Sequence, residues 1–125
     1  MANTIVWADI PVTDMDRART FYGAVLQTEI QLMEGQADVA LLPGDPAGGE
    51  VSGDLVKSDR ATPGAGGITI YLDSKGDPEG MMERAVAASG KVLVPVASMG
   101  DMVGSIGYFQ DSEGNRIGVH KPPQG

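Results

Sequence analysis

Few side chains in this sequence can do chemistry, and their types narrow what that chemistry is. The chain holds no cysteine, one histidine and one tryptophan. Without cysteine there are no disulfides, thiolate zinc sites, iron–sulfur clusters or cysteine nucleophiles. Any imidazole chemistry must use His120. No Gly-x-Ser-x-Gly elbow is present, and one histidine without an evident serine partner argues against a hydrolase triad. Acid–base work, hydrogen bonding and stacking remain. Asp9 follows Trp7 by two residues, and on a strand this puts both on one face. A partly desolvated carboxylate there serves as a base or binds a cationic group. The Trp7 indole offers a surface on which a flat ligand stacks. Thr69, Tyr71 and Tyr108 offer hydroxyls that orient a ligand. Asp9 and His120 are therefore the candidate catalytic residues; Trp7, Thr69, Tyr71 and Tyr108 are candidate ligand-binding residues.

Strands and helices must position these groups. Thr4–Val12 alternates, with Val6, Ala8, Ile10 and Val12 on one face and Ile5, Trp7, Asp9 and Pro11 on the other, the period of a strand. Asp14 is placed to cap a helix in which Met15, Ala18, Tyr22 and Val25 recur at helical spacing beside Phe21. Strand candidates follow at Thr28–Met33, Ala37–Leu42 and Glu50–Lys57. Ser58 to Gly67 reads as a linker. The pattern then restarts. Gly67–Asp73 alternates, with Ile68, Ile70 and Leu72 opposite Thr69 and Tyr71. Asp77-Pro78 reads as a cap with proline in the first turn of a helix striped by Met81, Ala85 and Ala88 and flanked by Met82 and Val86. Gly90 reads as its left-handed exit. Lys91–Val96, Val103–Gln110 and Asn115–Lys121 read as three more strands, with Asp111–Asn115 the turn between the last two.

The order strand–helix–strand–strand–strand thus appears twice. It predicts an α+β domain over residues 1–125, built of a module at about 1–60 and a second at about 66–125. Two such half-sheets form a half-barrel cleft. Their apolar faces meet the helices, and the faces carrying Trp7, Asp9, Thr69 and Tyr71 line the cleft. At 125 residues and 42% hydrophobic, the chain supports one core. A net charge of −8 argues against binding nucleic acid. Apolar runs such as Val92-Leu93-Val94 are too short to span a bilayer, and no basic stretch precedes an apolar one at the start, so a cytoplasmic protein is expected. Met99 and Met102 flank a loop tip, Gly100-Asp101, suited to a mobile lid. Gly64-Ala65-Gly66-Gly67 precedes a strand instead of following one, unlike a dinucleotide loop. Asp111–Asn115 lacks the register of a calcium loop.

The stretch from Trp7 through Ala18 (WADIPVTDMDRA), with Phe21-Tyr22, resembles the opening of the vicinal oxygen chelate superfamily, which includes glyoxalase I, extradiol dioxygenases and the bleomycin-resistance proteins. The stretch from Tyr108 to Gly118 (YFQDSEGNRIG) resembles its closing signature, and the repeated pattern matches its paired βαβββ modules. The resemblance implies four inward-facing metal-ligand positions, which fall on Trp7, Asp54 (within one residue, Gly53 being adjacent), Gly67 and Gly118. Indole and glycine side chains cannot ligate, so at most Asp54 remains, too few donors for a divalent metal. No metal site and no cofactor is expected. Asp54 becomes a ligand-orienting candidate. By parity from Gly118, His120 points into the cleft, five residues from a chain end of the kind that frays. The resemblance also implies a homodimer. The expected function is a glyoxalase-like protein that binds a small organic molecule in a metal-free cleft, with the reaction left open. The alternative is sequestration of a cationic drug, as in the bleomycin-resistance branch. A metal-dependent lyase or dioxygenase is the outsider.

Overall fold

In the computed structural model, which describes residues 5–123 (Pro46 by its backbone alone), two aspartates start the two helices. Asp14 accepts a hydrogen bond from the Arg17 N–H at 3.0 Å and opens α1, Met15–Leu26. Asp77 accepts from the Gly80 N–H at 3.0 Å and, with Pro78 in the first turn, opens α2, Pro78–Ala87. Each carboxylate satisfies a first-turn donor that has no partner within its helix. The stripe Met15, Ala18, Phe21, Tyr22 and Val25 is buried, as its spacing predicts. On α2, Met81, Met82 and Ala85 are buried, whereas Val86 faces solvent. The left-handed exit expected at Gly90 falls one residue earlier, on Ser89 at φ 83°. Gly90 serves a different need: a Cβ there would lie 2.7 Å from the Gln110 carbonyl oxygen and 2.9 Å from that of Ala85.

Eight strands complete the two modules: β1 Trp7–Pro11, β2 Gln31–Leu32, β3 Val39–Leu41, β4 Ser52–Val56, β5 Ile70–Asp73, β6 Lys91–Ser98, β7 Ser105–Gln110 and β8 Arg116–Lys121. One sheet has the order β1-β4-β3-β2 and the other β5-β8-β7-β6. In each, the first and last strands of the module pair in parallel, and the other pairs described are antiparallel. The α+β fold of two βαβββ modules read from the sequence is therefore the fold observed. Strand ends differ. Thr4, the expected start of the first strand, lies outside the described residues. β5 begins at Ile70, because the glycine-rich linker runs past Gly67, which has φ 85°. Ile68, expected on the core face, is consequently 93% exposed.

One apolar core spans both modules, with Ile10, Phe21 and Leu55 from the first and Met81, Phe109 and Val119 from the second. The Phe21 and Phe109 rings lie 5.8 Å apart, and Arg84 Nε on α2 donates to the Val25 carbonyl on α1 at 3.0 Å. The modules are thus joined on their helix side.

A second link is polar. The Asp111–Asn115 turn, expected only as a connection, closes over the start of α1. Buried Asp111 accepts from the Tyr22 hydroxyl at 2.5 Å, from the N–H groups of Glu113 and Asn115 at 2.8 Å and from Asn115 Nδ2 at 3.0 Å. Asn115 Nδ2 also donates to the Pro11 carbonyl at 2.8 Å. Glu113 Oε1 takes the N–H groups of Thr13 and Asp14 at 2.8 and 2.9 Å, and Arg17 grips both carboxylate oxygens at 2.7 and 3.0 Å. Burial pulls the Glu113 carboxyl upward, but the Arg17 guanidinium, these two backbone donors and the Ser112 hydroxyl hold it down to about 2. The helix N-terminus favours that anion further. No helix among the described residues is long and apolar enough to cross a membrane.

Candidate functional site

Alternation along β1 and β4 sorts their side chains onto two faces. Ile10 and Leu55, partners in register, go to the core. Trp7, Asp9 and Asp54 go to the opposite, open face. Asp9 and Asp54 are direct partners across this parallel pair. The strands approach closely here because residue 53 is glycine: a Cβ on Gly53 would lie 2.2 Å from the Ala8 carbonyl oxygen. Trp7 Nε1 donates to Asp54 Oδ2 at 3.2 Å. Asp54 is 7% exposed, and its Oδ1 is buried without a hydrogen-bond donor. Burial raises the Asp54 carboxyl to about 6, the neighbouring Asp9 carboxyl adds to the rise, and the Trp7 N–H opposes it. Leu41 on β3 is the other register neighbour of Asp54 and forms an apolar wall beside it.

The open face of module 2 is filled differently. Tyr71 pairs in register with Gly118, and its ring lies over the glycine, since a Cβ there would fall 2.3 Å from Tyr71 Cδ2. The Tyr71 and Tyr108 hydroxyls are 2.6 Å apart. That bond, with some burial, raises the Tyr71 phenol above its ordinary value. The Arg116 guanidinium stacks 4.2 Å from the centre of the Tyr108 ring and donates to the Thr69 hydroxyl at 3.3 Å. Thr69 itself precedes β5. His120 lies within β8, opposite Asp73, with Nε2 2.7 Å from the Val103 carbonyl. A carbonyl only accepts, so Nε2 carries the proton and Nδ1 of a neutral ring is the acceptor.

The structure therefore gathers Trp7, Asp9 and Asp54 on one face, and Thr69, Tyr71 and Tyr108 on the other. It does not bring Asp9 and His120 together. They belong to different modules, and among the described residues no hydrogen bond joins the two open faces. Trp7 remains 37% exposed and Tyr71 45%. Two features escaped the sequence. Arg116 was hidden as a charged residue within the closing signature. The adjacency of Asp9 and Asp54 depends on a pairing across 45 residues, and only the small residue next to Asp54 hinted at close strand contact.

The metal positions implied by the resemblance do not assemble a centre. Trp7 presents its indole, Gly67 lies in the linker, and Gly118 is covered by a tyrosine ring. Asp54 alone has a donor. Among the described residues, no group of three or more His, Cys, Asp or Glu side chains is placed to hold a metal ion.

Comparison with known proteins points the same way as the topology. The family model described as the Glyoxalase/Bleomycin resistance protein/Dioxygenase superfamily matches residues 4–119. No curated protein matches. Among solved structures, a glyoxalase-related enzyme from Fulvimarina pelagi is similar at TM-score 0.71 and 16% identity, over 94% of this chain and 87% of that one. A glyoxalase/bleomycin resistance protein from Catenulispora acidiphila is similar at 0.68 and 15%, over 97% and 100%. A superfamily member from Sphaerobacter thermophilus is similar at 0.66 and 20%, over 96% and 98%. At these identities the structural likeness speaks for the fold.

Proposed function

Starting from the premise that this chain belongs to the Glyoxalase/Bleomycin resistance protein/Dioxygenase superfamily, we propose that it binds a small organic molecule on its open sheet faces, without a metal. One observation carries this most: the aromatic and polar side chains there are held in place yet left uncovered. Trp7 is tethered to Asp54 and Tyr71 to Tyr108, but both aromatic rings remain open to solvent. Ordered aromatic surface of this kind suits a planar or apolar ligand. Trp7 and Tyr71 supply packing. Asp54, Thr69 and Tyr108 orient polar groups, and Asp9 and His120 are the proton-transfer groups of a reaction on these faces. Each chain presents two half-sites, so a homodimer in which module 1 of one copy faces module 2 of the other would close both. Light scattering on a size-exclusion column should then give twice the chain mass.

A thermal-shift panel of neutral aromatic, cationic and anionic small molecules tests the binding surface. Compounds that stabilise the wild type should lose their effect in Trp7→Ala or Tyr71→Ala, while each variant still melts cooperatively. Equal stabilisation of wild type and both variants would place the ligand elsewhere. A second reading, sequestration of a cationic drug, draws on the two carboxyls on module 1. Stoichiometric binding without product formation separates it from catalysis.

A further inference from the structure

We infer that Asp9 and Asp54 form a receptor for an organic primary ammonium group, whose N–H donors the unpartnered Asp54 oxygen and the facing Asp9 carboxyl accept. The inference deepens the proposed binding function and rests on the open face of module 1 being a ligand surface. Its starting point is an orphan atom. Buried acceptors in folded proteins nearly always have a donor, yet Asp54 Oδ1 has none, although the residue is more than nine-tenths buried. Its neighbour in register is a second carboxylate.

Nothing described around the pair neutralises it. On the same face of β4, Ser52 and Val56 are uncharged, and β3 contributes Leu41. α1 packs behind the sheet, where its Arg17 is held by Glu113 and its Arg19 by the Ile30 carbonyl. The pair thus lacks a cation, and two kinds could serve. A firmly held transition metal takes three or four protein donors, and only two carboxylates are offered here, the indole N–H being no ligand. A primary ammonium fits better. It brings three N–H donors for the oxygens of Asp54 and Asp9. The exposed Asp9 side chain can turn to admit them. The Trp7 ring adds a cation–π surface, and Leu41 gives an alkyl tail an apolar wall.

Trp7 is the only tryptophan, so its fluorescence reports on this face alone. The intact protein is titrated with n-butylammonium chloride, against sodium chloride at equal ionic strength, at pH 5 and pH 7. A saturable change is expected, with the apparent dissociation constant about tenfold tighter at pH 7. With Asp54 near 6, about a tenth of the pairs are open to a cation at pH 5 and about nine-tenths at pH 7. Asp9→Asn and Asp54→Asn should each abolish the saturable change, and n-butanol should give none. If n-butanol acts as well as n-butylammonium, the inference fails while the binding function survives. If neither acts and the compound panel also leaves Trp7 unmoved, both fail. Saturation by magnesium chloride at lower concentration than by n-butylammonium would overturn the inference in favour of a metal site.

Discussion

Two acidic clusters in this molecule have opposite fates. In the Asp111–Asn115 turn the carboxylates are surrounded by donors: Glu113 by two backbone N–H groups, a serine hydroxyl and a guanidinium, Asp111 by a phenol, two backbone N–H groups and an amide. At Asp9 and Asp54, one indole N–H reaches Asp54 alone, and a buried oxygen goes without. The first cluster ties the modules together. The second costs stability, because a buried acceptor is left without a donor. A carboxylate's role here follows from its surplus or deficit of donors, more than from its exposure.

The two clusters should also titrate with opposite sign. Glu113, lowered from 4.5 to about 2, contributes stability that is present above about pH 4.5 and lost as pH falls toward 2. Asp54, raised from 3.8 to about 6, does the reverse: the folded chain keeps a proton that the unfolded chain has released, so stability falls as pH rises through about 4 to 6. Together they predict a maximum near pH 4–5 in urea-denaturation free energy. A profile that climbs steadily to pH 7 would break the contrast.

The largest effect is expected for Glu113→Ala, which strips five donor groups of their acceptor at the module junction: the N–H groups of Thr13 and Asp14, the Thr13 and Ser112 hydroxyls and the Arg17 guanidinium. It should cost about 3 kcal/mol by urea denaturation. Glu113→Gln should also flatten the profile below pH 4.5. Gly53→Ala comes next, at about 2 kcal/mol, because the new methyl must push β1 off β4. It should also move the Asp54 carboxyl back toward its ordinary range, readable by NMR titration. Asp54→Asn runs the other way. It should stabilise the protein by about 1–2 kcal/mol at pH 8, after allowing for solvent screening, and remove the decline between pH 4 and 6. Loss of stability at pH 8 would show the carboxylate to be satisfied after all. Tyr71→Phe is smallest, about 0.5 kcal/mol, since the hydroxyl bond it removes is half in water.

Local signals were legible in the sequence. The apolar stripe of α1, both aspartate caps and the repeated module follow from periodicity and cap chemistry, which depend on neighbours within four residues. Strand ends were less so, since Ile68 alternates correctly but lies on a glycine-rich approach that pairs with nothing. The helix exit went to Ser89 because Gly90 was needed to clear the Gln110 carbonyl, a contact twenty residues away. Among the site residues, faces were readable by parity, so Trp7, Asp9 and Tyr71 fell where alternation puts them. Partners were not. Asp9 meeting Asp54, and Arg116 stacking on Tyr108, are set by register between strands, which no local pattern encodes.

The ring of Tyr71 resting on Gly118 has a bearing on what position 118 can become. A donor side chain placed at position 118 meets that ring as soon as a Cβ is added, and removing the ring first gives up its bond to Tyr108 before any new ligand exists. Either order passes through an intermediate worse than its start. The two positions work as a latch: no single substitution gives position 118 a side chain that could ligate without first displacing the aromatic ring.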